Sequence, residues 1–210
     1  MKKNCTEVVF VLDRSGSMCG LEKDTIGGFN SLINKQKKQD GEVLVSTVLF
    51  NDSSVVIHDR KPIEKVRLMT NKDYEVYGCT ALLDALGSSI RHIGNIHKYA
   101  RIEDVPEHTM FVIITDGMEN ASRYYSKERV KSMIEYEKEK YGWEFLFLAA
   151  NMDAIDTASQ YGIDKDHAVN YQCDSVGTRL NYEVLDEAIQ CICSGVPLSK
   201  SWKSKIEKRK

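Results

Sequence analysis

The sequence has no long apolar run and almost no net charge. No hydrophobic stretch approaches the roughly 20 residues that a membrane-spanning helix needs. Its 29 basic and 31 acidic residues leave a formal net charge of −2, so we expect binding to neither nucleic acid nor an anionic membrane surface. The first five residues lead directly into an apolar segment without the pattern of a secretion signal. We therefore expect a cytoplasmic protein.

The cysteines also lack the spacing of a disulfide framework. There are six of them, with no Cys-x-x-Cys pair, at positions 5, 19, 79, 173, 191 and 193. Without a secretion signal, this spacing predicts reduced thiols that pack as small apolar groups. The chain also lacks internal repeats and long linkers, and its length suits one domain.

Two apolar runs end in an aspartate. Val8–Leu12 is followed by Asp13, and Met110–Thr115 is followed by Asp116. Runs of β-branched and aromatic residues of this length predict strands that are buried on both faces. Each predicted strand is therefore followed directly by a carboxylate side chain.

Hydroxyl side chains accompany these aspartates. Ser15 and Ser17 follow Asp13 in a turn that contains Gly16, and Thr80 lies just before a predicted helix. With the two aspartates they make a set of five oxygen side chains and leave one octahedral position without a protein ligand. Hard oxygen donors without nitrogen or sulfur suit Mg²⁺ or Mn²⁺ and do not suit zinc.

Predicted strands and helices alternate along the chain. Besides the two strands above and the helix after Thr80, the pattern predicts helices at 21–39, 126–141, 153–161 and 181–193, and strands at 42–50, 54–60, 143–150 and 167–171. The short turn before residue 54 permits only an antiparallel hairpin. The alternation predicts an α/β sheet with helices on both faces.

The combined motif resembles the von Willebrand factor type A domain and its metal-ion-dependent adhesion site. The family's Asp-x-Ser-x-Ser is met by Asp13, Ser15 and Ser17, its loop threonine by Thr80 and its second aspartate by Asp116. The stretches Gly-Cys-Thr-Ala-Leu-Leu-Asp-Ala-Leu and Thr-Asp-Gly match as well, although Cys79 stands where glycine is common. The resemblance covers residues 6–193 as a single domain and leaves 194–210 as a basic C-terminal tail.

The resemblance implies a Rossmann-like, doubly wound and mostly parallel six-stranded sheet. Its order is 3-2-1-4-5-6, with strand 3 antiparallel at the edge. Ligands of such sheets bind beyond the carboxyl ends of the strands, where the strand order reverses. That point lies between strands 1 and 4, which end in Asp13 and Asp116.

The charge of this residue set predicts a docking function. Two aspartates neutralise a divalent cation and the hydroxyls add no charge, so the open position can accept a carboxylate from another molecule. We expect a Mg²⁺- or Mn²⁺-dependent module that binds an Asp or Glu of a protein partner, without enzymatic activity. The resemblance implies an adaptor in a multi-protein assembly. Candidate residues of a partner-facing rim are Met18, Met118, Glu119 and Asn120.

Two other functions fit the same residues. A metal-dependent phosphoryl hydrolase can place an aspartate at the end of a strand beside Mg²⁺, but it needs a second carboxylate two residues later, where this chain has Ser15. A metal-independent scaffold would bind its partner even when EDTA is present.

The basic tail favours a solvated chain end. Trp202 and Ile206 stand four residues apart, so a weakly amphipathic helix that docks on an acidic partner is the alternative. Loss of partner binding on deletion of residues 199–210 would favour this alternative.

Overall fold

The computed structural model describes residues 1–209. Its six strands are β1 (Lys2–Asp13), β2 (Glu42–Phe50), β3 (Ser54–Pro62), β4 (Pro106–Thr115), β5 (Glu144–Ala149) and β6 (Ala168–Asn170). Its helices are α1 (Glu22–Gln36), α2 (Leu82–Tyr99), α3 (Lys127–Tyr141), α4 (Ala154–Gln160), α5 (Ser175–Cys193) and α6 (Ser204–Glu207). Within residues 1–209, no helix combines the length and the apolar character needed to cross a bilayer.

The strands form one sheet in the order β3-β2-β1-β4-β5-β6. All neighbouring pairs are parallel except β2 and β3, which are antiparallel. Only residues 51–53 separate β2 from β3, and so short a connection cannot cross over to form a parallel pair. The predicted fold class, strand order and antiparallel edge strand are therefore confirmed.

Alternating side chains of β1 pack into two hydrophobic cores. Val8, Phe10 and Leu12 join the core formed with α1, α5 and α6, whereas Val9 and Val11 join the core formed with α2, α3 and α4. This alternation follows from the two-residue period of a strand. Because β1 is the central strand and is covered on both faces, its last residue is held rigidly at the edge of the sheet.

The last long helix starts earlier than predicted. It begins at Ser175 instead of residue 181, and the Asp174 side chain accepts a hydrogen bond from the amide of Gly177 at 2.7 Å. The first turn contains Gly177 and the β-branched Val176, which are poor helix formers. The capping carboxylate and tertiary packing outweigh that local preference.

The C-terminal segment packs on the domain. Trp202 is 5% exposed and Ile206 is also buried, and the Trp202 indole donates to the carbonyl of Asp166 at 2.9 Å. Lys203 Nζ donates to two backbone carbonyls, and the Arg209 guanidinium forms two hydrogen bonds with Asp174.

The expectation of a solvated end at 199–210 is therefore wrong for residues 202–209, which dock on the domain, and Lys210 lies outside the described residues. The physical reason is that the apolar side chains of Trp202 and Ile206 bury themselves against the chain's own core. The basic groups of Lys203 and Arg209 meet carbonyl and carboxylate oxygens that the fold leaves nearby.

Candidate metal site

The two strand-terminal aspartates lie beside each other because β1 and β4 are neighbours. Leu12 pairs with Ile114 in the last step of the ladder, so Asp13 and Asp116 both emerge at the carboxyl edge of the sheet. Asp13 is 1% exposed and Asp116 is 2% exposed. The topology thus buries two carboxylates at the point where the strand order reverses.

The Asp13 side chain is oriented by short hydrogen bonds. Its Oδ1 accepts from the amide of Ser15 at 2.7 Å, and its Oδ2 accepts from Thr115 Oγ1 at 2.6 Å. The buried Tyr74 hydroxyl donates to the Asp13 backbone carbonyl. These contacts hold the carboxylate in place while leaving lone pairs free on each oxygen.

The serine hydroxyls connect the first loop to Asp116. Ser15 Oγ and Ser17 Oγ are 3.0 Å apart, and Ser17 Oγ donates to Asp116 Oδ1 at 2.5 Å. The amide of Gly16 donates to the carbonyl of Gly78 at 3.0 Å. The first loop is therefore bonded both to the second aspartate and to the loop that carries Thr80.

The hydroxyl groups of Thr80, Ser15 and Ser17 all lie close to the Cα atom of Gly117. A methyl group at Gly117 would lie 2.6 Å from Thr80 Oγ1, 3.1 Å from Ser17 Oγ and 3.4 Å from Ser15 Oγ. Three hydroxyl oxygens from two loops therefore surround one small space, which is open because residue 117 has no side chain. The structure thus brings the five sequence-predicted side chains together in one cluster.

Among residues 1–209, no basic side chain balances the charge of the cluster. The four carboxylate oxygens accept hydrogen bonds from neutral donors, namely the Ser15 amide, the hydroxyls of Thr115 and Ser17, and the Cys173 thiol. No ion pair within residues 1–209 reaches either carboxylate. Burial raises the pKa of Asp13, and the negative charge of Asp116 adds to this effect. A buried pair of carboxylates without a counter-ion is costly.

The donor set fits a hard divalent cation. Among the described residues, no group of three or more His, Cys, Asp or Glu side chains could hold a metal. A metal at this cluster would thus depend on hydroxyl oxygens and two carboxylates. Such all-oxygen sets suit Mg²⁺ or Mn²⁺ better than zinc.

Cys173 is a site neighbour that the sequence analysis missed. Its thiol donates to Asp116 Oδ2 at 3.3 Å, and burial together with this hydrogen bond raises the pKa of Cys173 to about 11. The residue follows β6 in a short loop, and no motif marks it. Cys79, which stands next to Thr80 where glycine is common, is exposed, and its amide donates to Asp52 Oδ1 at 3.1 Å.

Comparison with known proteins identifies the fold. No family model matches the chain, and no curated protein matches it either. Among solved structures, the vWF domain of the type V pili tip protein Mfa5 from Porphyromonas gingivalis matches with a TM-score of 0.61 at 9% identity, covering 92% of this chain and 97% of that one. This chain therefore has the fold of a von Willebrand factor type A (vWA) domain.

Two further solved structures have a similar fold. Proximal thread matrix protein 1 from the mussel byssus, solved with a zinc-occupied MIDAS motif, matches with a TM-score of 0.60 at 15% identity. A von Willebrand factor type A protein from Catenulispora acidiphila matches with a TM-score of 0.56 at 12% identity. These matches cover 90% and 88% of this chain but only 47% and 42% of the other chains. The chain therefore spans less than half the length of either protein.

The rim predicted around the candidate metal site is only partly exposed. Met118 is 70% exposed, directly after Gly117. Met18 is 2% exposed and packs in the hydrophobic core, so its prediction as a partner-facing residue is wrong. The physical reason is that the turn after Ser17 directs this large apolar side chain inward, where it loses its contact with water.

Glu119 and Asn120 form hydrogen bonds within the chain itself. The Glu119 carboxylate accepts from the amides of Leu83, Ala121 and Ser122 at 2.8–3.0 Å, and Asn120 Oδ1 accepts from the Thr80 amide at 2.9 Å. These bonds tie the loop after Asp116 to the start of α2 and account for both residues without a partner. Their contact with a partner stays a prediction.

Replacing Glu119 with alanine should destabilise the domain by about 2 kcal/mol, because hydrogen bonds to a charged group contribute about 1.5–3 kcal/mol. Urea unfolding followed by circular dichroism measures the change. The exposed Glu139 on α3 provides a matched control, and its alanine variant should stay within about 0.5 kcal/mol of wild type. Equal midpoints for the two variants would contradict the anchoring role.

Proposed function

We propose that this vWA domain is a Mg²⁺-dependent protein-interaction module. Asp13, Ser15, Ser17, Thr80 and Asp116 would hold the ion, directly or through water. An Asp or Glu side chain of a protein partner would complete its coordination. We propose a non-enzymatic adaptor role in the cytoplasm, with Mn²⁺ as an alternative metal.

The main support for this proposal is the negative charge of two buried carboxylates that have no basic partner among the described residues. Asp13 and Asp116 are almost fully buried, and their carboxylates contact only neutral donors. A divalent cation would neutralise both charges at once. When bound, such an ion supplies an electrophilic position that attracts a carboxylate more strongly than a neutral ligand.

The comparison with the mussel protein supports metal use at this position of the fold. That protein was solved with zinc in its MIDAS motif, so a vWA domain of similar structure can hold a divalent ion. In this chain the hydroxyl and carboxylate donors favour Mg²⁺ over zinc. The choice of metal therefore rests on the donor set of this sequence.

Exposed apolar side chains support a protein partner. Tyr77, Met118 and Tyr124 are all more than half exposed, and they lie on the loops that carry Thr80 and that follow Asp116. Tyrosine and methionine are enriched at protein interfaces. A partner that places a carboxylate on the ion would also cover these side chains.

Partner capture tests this function. The wild-type protein and an Asp116→Ala variant serve as baits in a lysate of the source cells, each with Mg²⁺ and with EDTA. Asp40→Ala, at an exposed position in the turn before β2, is the matched control. We expect a partner that is retained by wild type and Asp40→Ala in Mg²⁺ and released by EDTA.

The other two functions give different results. A partner retained in EDTA would favour the metal-independent scaffold. Turnover of a generic phosphate ester that disappears in Asp13→Asn would favour the hydrolase. Either result would contradict the proposed function.

A further inference from the structure

A group of buried polar side chains lies where α1 packs against α5. This α1–α5 polar group consists of Thr25 on α1 and of Thr178, Asn181 and Tyr182 on α5, each at most 3% exposed. None of their side-chain oxygen or nitrogen atoms has a hydrogen-bond partner within residues 1–209. They supply five of the eight buried side-chain atoms in that range that lack a partner. The unpartnered atoms of this protein are therefore concentrated at one place in the fold.

The members on α5 share one turn of the helix. Thr178, Asn181 and Tyr182 stand at positions i, i+3 and i+4, so their side chains lie on the same face. The ring of Tyr182 packs directly on α1, because a methyl group at Gly28 would lie 2.2 Å from its Cδ2 atom. The glycine therefore lets the two helices approach closely beside the polar group.

The hydroxyl of Tyr74 connects the polar group to the candidate metal site. It donates to the backbone carbonyl of Asp13. Burial raises the pKa of Tyr74 well above its usual value, the neighbouring Tyr182 adds to this rise, and Thr25 beside the hydroxyl opposes it. Tyr74 therefore contacts a proposed metal ligand and also lies next to two members of the α1–α5 polar group.

The chemistry of Asn181 indicates which ligand the polar group can bind. Its Nδ2 atom only donates hydrogen bonds and its Oδ1 atom only accepts them, and both lack a partner within residues 1–209. A cation would bind the oxygen alone, an anion would bind the nitrogen alone, and an apolar ligand would bind neither. Water both donates and accepts, and buried water molecules usually make about three hydrogen bonds to polar groups that otherwise lack partners.

A cavity between the same two helices provides room for water. It has a volume of about 130 Å³, and its lining includes Gly28 and Tyr182. One water molecule takes up about 30 Å³ in the liquid, so the cavity can hold several. Because Tyr182 belongs both to the lining and to the α1–α5 polar group, the cavity adjoins that group.

We propose that ordered water molecules bind the unpartnered side chains of the α1–α5 polar group and connect α5 to the Tyr74 hydroxyl that holds Asp13. The water site itself is a property of the fold. The connection to Asp13 rests on the proposed function, because its effect is measured as a change in Mg²⁺ affinity.

Oxygen-17 relaxation dispersion tests the water site, since it counts the long-lived internal water molecules of a protein in solution. The wild-type protein is compared with the double variant Thr178→Val and Asn181→Leu, which removes three of the five unpartnered atoms. We expect the double variant to lose at least one long-lived water molecule. Glu183→Ala, at an exposed position of α5, is the matched control and should keep the wild-type number.

A crystal structure of the wild-type protein gives the location of the water and does not depend on the folding of any variant. We expect at least one water molecule within about 3.2 Å of Nδ2 or Oδ1 of Asn181. An equal water count in the wild type and the folded double variant would overturn the water site. A crystal structure in which both amide atoms of Asn181 bond directly to other side chains would overturn it as well.

Isothermal titration with Mg²⁺ tests the connection to Asp13. The single variants Thr178→Val and Asn181→Leu should each weaken Mg²⁺ binding several-fold, because they act on Asp13 only through water and Tyr74. This loss is smaller than the roughly 10- to 100-fold loss that is typical of direct neighbours of a metal ligand. Glu183→Ala should bind Mg²⁺ as the wild type does, and urea unfolding checks that each variant is folded.

The outcomes separate the water site from the proposed function. If the water is found but both single variants keep wild-type Mg²⁺ affinity, the connection to Asp13 is overturned, while the water site and the metal-dependent function stand. If the wild-type protein shows no saturable Mg²⁺ binding, the proposed function fails and the connection to Asp13 fails with it. The water site is then decided by relaxation dispersion and the crystal structure alone.

Discussion

Replacing Gly117 with alanine is expected to weaken Mg²⁺ binding about 10- to 100-fold, a range typical of changes around metal ligands. The added methyl group would lie 2.6 Å from Thr80 Oγ1, closer than a carbon and an oxygen can approach, and 3.1 Å from Ser17 Oγ, which is a tight contact. At least one hydroxyl must therefore move out of the cluster. The fold should survive, because the clash is confined to side chains at the edge of the sheet.

Isothermal titration with Mg²⁺ measures this effect, and urea unfolding checks that the variant is folded. Gly27→Ala is the matched control, since a methyl group at Gly27 in α1 meets no atom within 4 Å. That control should keep wild-type Mg²⁺ affinity and gain up to about 1 kcal/mol of stability, because alanine is the better helix former. Unchanged Mg²⁺ affinity in Gly117→Ala would mean that the three hydroxyls do not surround the ion.

Replacing Trp202 with alanine is expected to lower the free energy of unfolding by about 3–5 kcal/mol, as for other buried tryptophans. The change removes a large side chain that is 95% buried in the core and leaves the carbonyl of Asp166 without its indole donor. It also loosens α6, so Arg209 should lose its paired hydrogen bonds with Asp174 at the start of α5.

Urea unfolding again gives the measurement, with Tyr99→Ala as the matched control. Tyr99 is an aromatic residue near the end of α2 that is largely exposed, so its variant should differ from wild type by no more than about 0.5 kcal/mol. If Trp202→Ala were as stable as Tyr99→Ala, the C-terminal segment would not be docked, and a solvated tail would describe it better.

The positions of the main site residues were predictable because they depend on simple, repeated patterns. Val8–Leu12 and Met110–Thr115 are long enough and apolar enough to predict buried strands, and a doubly wound sheet places the ends of its first and fourth strands together. The five oxygen-bearing side chains of the candidate metal site therefore lie close together in the structure, as expected. Their role as metal ligands stays a prediction.

Residues that act through side-chain contacts between distant segments were not predictable. Tyr74 lies between β3 and α2, where no periodic pattern predicts a structure, yet its hydroxyl supports the Asp13 carbonyl. Cys173 looks like any other isolated cysteine until β6 brings it to Asp116. The burial of Met18 and the docking of Trp202 depend on core surface that other parts of the chain create.

The sequence by itself determined the alternation of strands and helices, the hairpin at the sheet edge and the chemistry of the five oxygen donors. These follow from local periodicity and residue type, which do not require knowledge of distant contacts. The tertiary structure alone decided that the two carboxylates are buried without a basic partner among residues 1–209, and that Gly117 keeps the space between the hydroxyls open. Each of these depends on which surfaces pack together, because burial and the distances between segments arise only when the chain is folded.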